Sequence, residues 1–261
     1  MAIVRPFKAI RPTRDKAKLV ATRSYLSYSD ETLKEKLEHN PFTFLHIINP
    51  DYRNKIKKKG IKKFKAVKEK FNDFKKAGYL IAESIESFYI YQQKNENKIF
   101  EGIIGATAVA DYINGNIKKH EHTITSREEM FKDYLDTTGF NAEPVLLCHQ
   151  KNTDITNLIQ KHKSIRAEYE FVTADKAVHK LWLVNNTDDI NTITKSFKTI
   201  DNLYIADGHH RIASSALLAQ NSTKISSQYF MSFLIDENQL NILNFNRLIK
   251  NTNGLTSYEL I

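Results

Sequence analysis

The stretch NLYIADGHHRIASSALLAQN, residues 202–221, constrains this chain more than any other. A β-rich run ends at Asp207 and a helical, alanine- and serine-rich run starts at His209, with Gly208 alone between them. Such a junction predicts a strand that feeds directly into a helix. Gly208 admits a backbone conformation that other residues resist. The N–H groups of His209, His210 and Arg211 then lie at a helix N-terminus, where unpaired donors and the helix dipole favour an anion. Arg211 adds a planar guanidinium suited to phosphate oxygens. Ala213, Ser214, Ser215 and Ala216 are small enough for the helix to pack close to a sheet. A tight turn whose histidines only cap or pack would use the same residues, since a short motif is weak evidence alone.

Around this junction the hydrophobic pattern alternates between strand and helix periods. SDETLKEKLEHN reads as a helix capped by Ser29 or Asp30 with acids in its first turn. FTFLHII, at 42–48, is β-rich between two Asn-Pro pairs and predicts a short strand. SFYIYQQ and FEGIIGATAVADY predict an antiparallel pair joined by the polar turn KNENK. TSREEMFKDYLDTTG predicts a helix with Thr125 or Ser126 as its cap and Gly139 just past its end. Beyond it come a strand (AEPVLLCHQ), a helix (TDITNLIQKHKS), two strands (AEYEFVTADKAVHKLWLV), a helix (DDINTITKSFKTI), the junction, and a strand (SQYFMSFLID). The order lacks regular βαβ repeats. It predicts an α+β fold with mixed, largely antiparallel sheets and packed helices. The 261 residues suffice for one globular unit, 1–261, or two subdomains at 1–140 and 141–261.

The net charge of +9 raises nucleic acid as a partner. It resides in one segment. Residues 53–76 hold 12 Lys or Arg and 2 acids, which leaves the rest of the chain at −1. Within that segment Ile61, Phe64, Val67, Phe71 and Phe74 recur at helical spacing, so the lysines form the solvated face of an amphipathic helix. No aromatic or arginine pattern for base stacking interleaves with them. A single cysteine, Cys148, excludes an internal disulfide framework and fits a cytoplasmic location. No apolar run approaches the ~20 residues of a membrane span.

A second polar cluster, KKHEHT at 118–123, is followed by REE at 127–129. In extended backbone His120 and His122 point to one face and Glu121 to the other. A carboxylate and an imidazole near a phosphate are what general acid–base chemistry or a divalent cation would use; an exposed loop leading to a capped helix needs the same residue types. His-x-His without a cysteine partner lacks the usual zinc spacing, though His209 or His210 would complete a set. Arg11 and Arg14, in RPTRDKA, are candidate phosphate contacts or ordinary surface charge. His46 reads as a satisfied core histidine. Cys148 reads as a small buried residue rather than a nucleophile.

The junction also resembles the Gly-x-x-Arg box shared by ParB nucleotide-binding domains and sulfiredoxins. Across most of its length the chain resembles the family called domain of unknown function 1015, through FKAIRPTRDKAKLV, NPFTFLHI, the YIYQQ to REE region, and YIADGHHRIASSAL, in that order. The resemblance implies a ParB/sulfiredoxin-like nucleotide-binding core. Sulfiredoxins carry a catalytic cysteine where this chain has His209, so their chemistry is not expected. The family's His-Arg pair falls at Asn246-Arg247, which leaves the role of its histidine in doubt here. Its members are usually longer, and the tail NTNGLTSYELI stops in a loop-like stretch, so the chain is expected to lack a C-terminal part.

A free-serine kinase is among the relatives of these folds, which implies phosphoryl transfer on a small metabolite, with serine or phosphoserine as substrate. Asp207, Gly208, His209, His210, Arg211 and Arg11 would bind the phosphate or nucleotide. Glu121, His120, His209 and His210 would handle protons. Mg²⁺, with Glu121 and Asp207 as its candidate contacts, and a nucleoside phosphate (ATP or ADP) would be the cofactors. The alternative is a ParB-like nucleotide-binding regulator that contacts DNA; against it, no helix-turn-helix pattern follows the box.

Overall fold

Residues 88–108 form a long hairpin in which alternate side chains enter one core. A computed structural model of the chain describes residues 2–259 apart from Asn97, Leu243, Phe245, Arg247, Lys250 and Ser257. Its elements run β1 (Val4–Arg5), β2 (Ile10–Pro12), α1 (Ala17–Val20), α2 (Asp30–His39), α3 (Leu45–Ile48), α4 (Gly60–Lys76), β3 (Leu80–Ala82), β4 (Phe88–Asn95), β5 (Lys98–Ala108), α5 (Val109–Ile113), β6 (Ile117–Lys118), α6 (Thr125–Thr138), β7 (Val145–His149), α7 (Thr153–Lys163), β8 (Tyr169–Val172), β9 (Val178–Val184), α8 (Thr187–Lys198), β10 (Leu203–Asp207), α9 (His209–Gln220) and β11 (Tyr229–Asp236).

The main sheet is nine-stranded, in the order β6-β10-β7-β11-β5-β4-β9-β8, with β1 added against β5. It is mixed and largely antiparallel, as the pattern predicts. Among the described residues only β6–β10 and β11–β7 run parallel. It draws β1, β4, β5 and β6 from the first half of the chain and β7 to β11 from the second. Phe88, Ile90, Ile103, Leu147, Phe230 and Leu234 of the sheet meet Ile155, Ile193, Phe197 and Ile212 of the helices in its main core. Fully burying side chains of this size contributes roughly 1.5–3 kcal/mol each.

A smaller core joins Val20, Ile47, Val67, Phe71, Phe74 and Leu80. Here the sequence expectation for residues 42–48 fails: Leu45–Ile48 is a helix, not a strand. A seven-residue apolar run does not distinguish the two by itself. Local hydrogen bonds decide it. The Asn40 side chain accepts from Phe42 N at 3.0 Å and the buried Thr43 hydroxyl accepts from Leu45 N at 3.4 Å, which starts a turn. Leu45 and Ile47 are then wholly buried. His46 lies in this helix, its Nε2 at 3.1 Å from Asn40 O, and burial lowers its pKa.

α4 has the expected two faces. Ala66, Val67, Phe71 and Phe74 are buried, while Lys62, Lys65, Lys68, Lys75 and Lys76 are exposed. Ser29 caps α2, and Gly139 ends α6 in the left-handed conformation. The expected α6 cap is corrected: Ile124 is the N-cap residue and no side chain caps it. Thr123 instead donates to the Glu128 carboxylate, tying the loop to the first turn. Among the described residues no helix is long and apolar enough to cross a membrane.

The centre of the sheet is tight. A Cβ built at Gly102 would lie 2.1 Å from the backbone oxygen of Leu234, and no side-chain movement relieves that. Gly102→Ala is therefore expected to cost about 3 kcal/mol, the upper range for overpacking. Urea unfolding checks this; a loss under about 1 kcal/mol would mean the strands can separate locally at little cost.

Candidate functional site

β6 and β10 pair in parallel, Leu203 with Ile117 and Tyr204 with Lys118. Parallel strands end on the same edge, so the loop after Lys118 emerges beside the junction after Asp207. This pairing brings two sequence-distant polar clusters together, outside the carboxyl ends of the strands, where open sheets tend to hold ligands. The β10–β7 register shifts between Ile205 and Asp207, a bulge that turns the chain just before Gly208.

Gly208 adopts φ 101°, ψ 30°, the left-handed region, and is the N-cap of α9. It offers no side chain to cap the helix, whereas Ser29, Asn152 and Asn186 cap α2, α7 and α8. The first amides of α9 thus lack the side-chain acceptor that those helices have. Behind them α9 is anchored by its small residues: the hydroxyls of Ser214 and Ser215 return to the carbonyls of His210 and Arg211, and Ile212, Ala213 and Ala216 are buried.

The Arg211 guanidinium lies over Gly208, where a Cβ would fall 2.8 Å from its Nε. Nη1 donates to Pro144 O at 2.9 Å and pairs with Glu143 Oε2 at 2.9 Å, and Nη2 pairs with Asp207. The Arg211 side chain is 22% exposed, while those of Asp207 and Glu143 are 71% and 66% exposed. The cation is fixed and its carboxylate partners are free to swing into water.

His209 is buried. Its Nδ1 stands 3.4 Å from Glu121 Oε2, and its ring meets that of His120 edge-on with centroids 4.5 Å apart. Its Nε2 is buried without a hydrogen-bond partner, as is Nδ1 of His210. Burial, and then the neighbouring His120, lower the His209 pKa, which Glu121 and Asp207 oppose.

The structure thus gathers His120, Glu121, Asp207, Gly208, His209, His210 and Arg211 at one edge. Arg11 has other partners: Glu83, Glu168 at 3.1 Å and the Tyr169 hydroxyl at 2.5 Å. Arg14 joins it on Glu168 at 2.9 Å, so this pair fastens the N-terminal segment to the start of β8. His122 and Asn246 are exposed, and Arg247 lies outside the described residues. Cys148 is buried, which raises its thiol pKa. Sequence reasoning missed Glu143 and Pro144, whose short loop carries no motif.

Among the described residues no group of three or more His, Cys, Asp or Glu side chains is placed to hold a metal ion. Of the two expected Mg²⁺ contacts, Asp207 pairs with Arg211 and Glu121 faces His209.

The family model described as Protein of unknown function (DUF1015) matches residues 4–261. No curated protein and no solved structure matches the chain.

The contact of Arg211 with Gly208 can be tested against a control. Gly115 also has a left-handed φ, 76°, but nothing within 4 Å of a built Cβ. Each Gly→Ala change should cost about 1–2 kcal/mol for the backbone. Gly208→Ala should cost about 1 kcal/mol more, for the Arg211 hydrogen bonds it disrupts. Equal losses in urea unfolding would mean that the guanidinium does not depend on the open face of Gly208.

Proposed function

The chain belongs to the DUF1015 family, and we propose that its junction site binds the phosphate of a small metabolite or nucleotide and transfers or hydrolyses it. The observation that carries this reading is the uncapped N-terminus of α9, with Arg211 fixed over Gly208 and the Glu121–His209 pair beside it.

Charge is the obstacle to be met. Asp207, Glu143 and Glu121 outnumber Arg211, so a phosphate has to displace carboxylates from the guanidinium. The Asp207 and Glu143 carboxylates are themselves largely exposed, so water can take them up when a phosphate replaces them. A phosphate gains in return charge-assisted, bidentate hydrogen bonds from Arg211 and the amides of His209 to Arg211.

In this reading Glu121 takes the proton of the attacking hydroxyl, or of water, as that oxygen bonds to phosphorus. The bond from phosphorus to the leaving oxygen breaks with its electron pair, and His120 or His210 supplies the proton that oxygen needs. Neutral His209 holds the Glu121 carboxylate in place, a positioning role. Serine or phosphoserine as the metabolite rests on the likeness of the box to folds with a free-serine kinase among their relatives. A second reading, a ParB-like regulator on DNA, is favoured by the exposed lysines of α4. Its mark would be DNA binding that weakens steeply with salt.

Pyrophosphate and phosphoserine should each raise the melting temperature of the wild type, and Arg211→Ala should abolish the rise. Glu121→Gln should keep the rise and lose turnover of the bound compound about 100-fold or more. A wild type unmoved by any phosphate compound would refute the reading.

The pH dependence has a definite sign. His209 is held neutral with its pKa below the ordinary imidazole value of about 6.5. As the pH falls through that lowered value and His209 gains a proton, turnover should fall. Activity that rises with acidity in that range would contradict the assignment.

A further inference from the structure

β11 runs parallel to β7, with Asp236 beside His149 at their carboxyl ends. β7 runs antiparallel to β10, so these ends lie at the edge of the sheet opposite the junction. A cleft of about 270 Å³ opens there, between the strand ends and α7. Its floor is apolar, from Ile155 and Ile159 of α7 and Leu234 of β11. Its rim is polar, from Glu101, His149, Lys151, Thr156 and Asp236. A few convergent polar groups over an apolar floor, at the carboxyl ends of strands, is the common make-up of a small-molecule site.

His149 sets what such a ligand has to bring. The residue is 2% exposed, and its ring packs edge-on against Phe197 with centroids 5.5 Å apart. Nδ1 lies 2.8 Å from Gln150 O, which can only accept, so Nδ1 carries the proton. Nε2 therefore presents a lone pair. Among the described residues it has no hydrogen-bond partner, and unlike Nε2 of His209 it is not closed off from water. Burial lowers the His149 pKa against the nearby carboxylates of Asp236 and Glu237, so the ring stays a neutral acceptor.

The other rim groups sort by what they have left to give. Glu101 is committed: Gln92, Gln160 and Lys163 donate to it at 2.7, 3.1 and 2.7 Å. Asp236 Oδ1 accepts from Asn238 N at 2.9 Å and from Asn238 Nδ2 at 2.8 Å, which leaves Oδ2 open. The Thr156 hydroxyl donates to Asn152 O at 3.0 Å and keeps its lone pairs. Lys163 is spent on Glu101, and Lys151 is exposed at the rim. Beside His149 the cleft thus offers acceptors and the charge of Asp236. An ammonium group brings N–H donors and the opposite charge. We infer that this cleft binds a small primary amine in its ammonium form, with the N–H groups on His149 Nε2 and Asp236 and a short aliphatic tail on Ile155, Ile159 and Leu234. The inference is independent of the phosphate reading, because the two sites lie at opposite edges of the sheet.

Isobutylamine, isobutanol and isobutyrate share a branched tail and differ in the head group. Each is titrated into isotopically labelled protein at neutral pH while backbone amides are followed by NMR. The amine should shift amides at 149–156 and 234–239. It should bind about tenfold or more tightly than the alcohol, which brings one donor and no charge. Isobutyrate should bind more weakly than the amine. His149→Phe keeps a ring against Phe197, and Asp236→Asn keeps an acceptor for Asn238. Each should weaken the amine about tenfold or more. Alcohol or isobutyrate binding as tightly as the amine would overturn the inference. Amine shifts outside the cleft, or an affinity that survives both variants, would do the same. The comparison of head groups is made in the wild type, so a variant that fails to fold does not shelter the inference.

Discussion

The parallel pairing of two short strands, β6 with β10, carries the rest of the site. β6 has only two residues, Ile117 and Lys118, yet its register against Leu203 and Tyr204 places the loop bearing His120 and Glu121 beside the first turn of α9. Ile117 and Leu203 are buried in the main core, so hydrophobic packing holds the register. A slip by one residue would turn Ile117 to solvent and carry Glu121 away from His209. The polar site is thus positioned by apolar contacts that it does not itself contain.

The second constraint is backbone conformation at Gly208. A left-handed residue between a bulged strand and a helix leaves α9 without a capping side chain and clears the surface on which the Arg211 guanidinium rests. The resulting edge holds a fixed cation, free helical amides, movable carboxylates and a buried neutral imidazole. Binding an anion and moving a proton draw on different members of that set. In the proposed reading Arg211 and the amides would do the first, and Glu121 backed by His209 the second.

Much of this was legible in the chain. The β4–β5 hairpin, the cap of α2, the end of α6 at Gly139 and the solvated face of α4 each follow from local residue types whose physics does not depend on distant partners. The strand expected at 42–48 was lost to Asn40 and Thr43, whose side chains bond the local backbone and whose turn periodicity does not reveal. The polar residues at 120–121 and 207–211 stood out because they sit at element ends, where side chains are not needed for packing. Their meeting depended on sheet order, which sequence does not display. Arg11 shows the converse. It read as a phosphate contact or as ordinary surface charge, but Glu83, Glu168 and Tyr169 come from far along the chain to engage it. Glu143 was illegible for the same reason: only the fold tells that its carboxylate reaches Arg211.

The most direct test of the account follows backbone amides by NMR while inorganic pyrophosphate is added. Anion binding at the junction predicts shifts concentrated on His209, His210 and Arg211, with the Arg211 Nε–H moving as Asp207 and Glu143 are displaced. Shifts confined to the lysine face of Gly60–Lys76, with the first turn of α9 unmoved, would contradict it and give the chain's anion affinity to the basic helix instead.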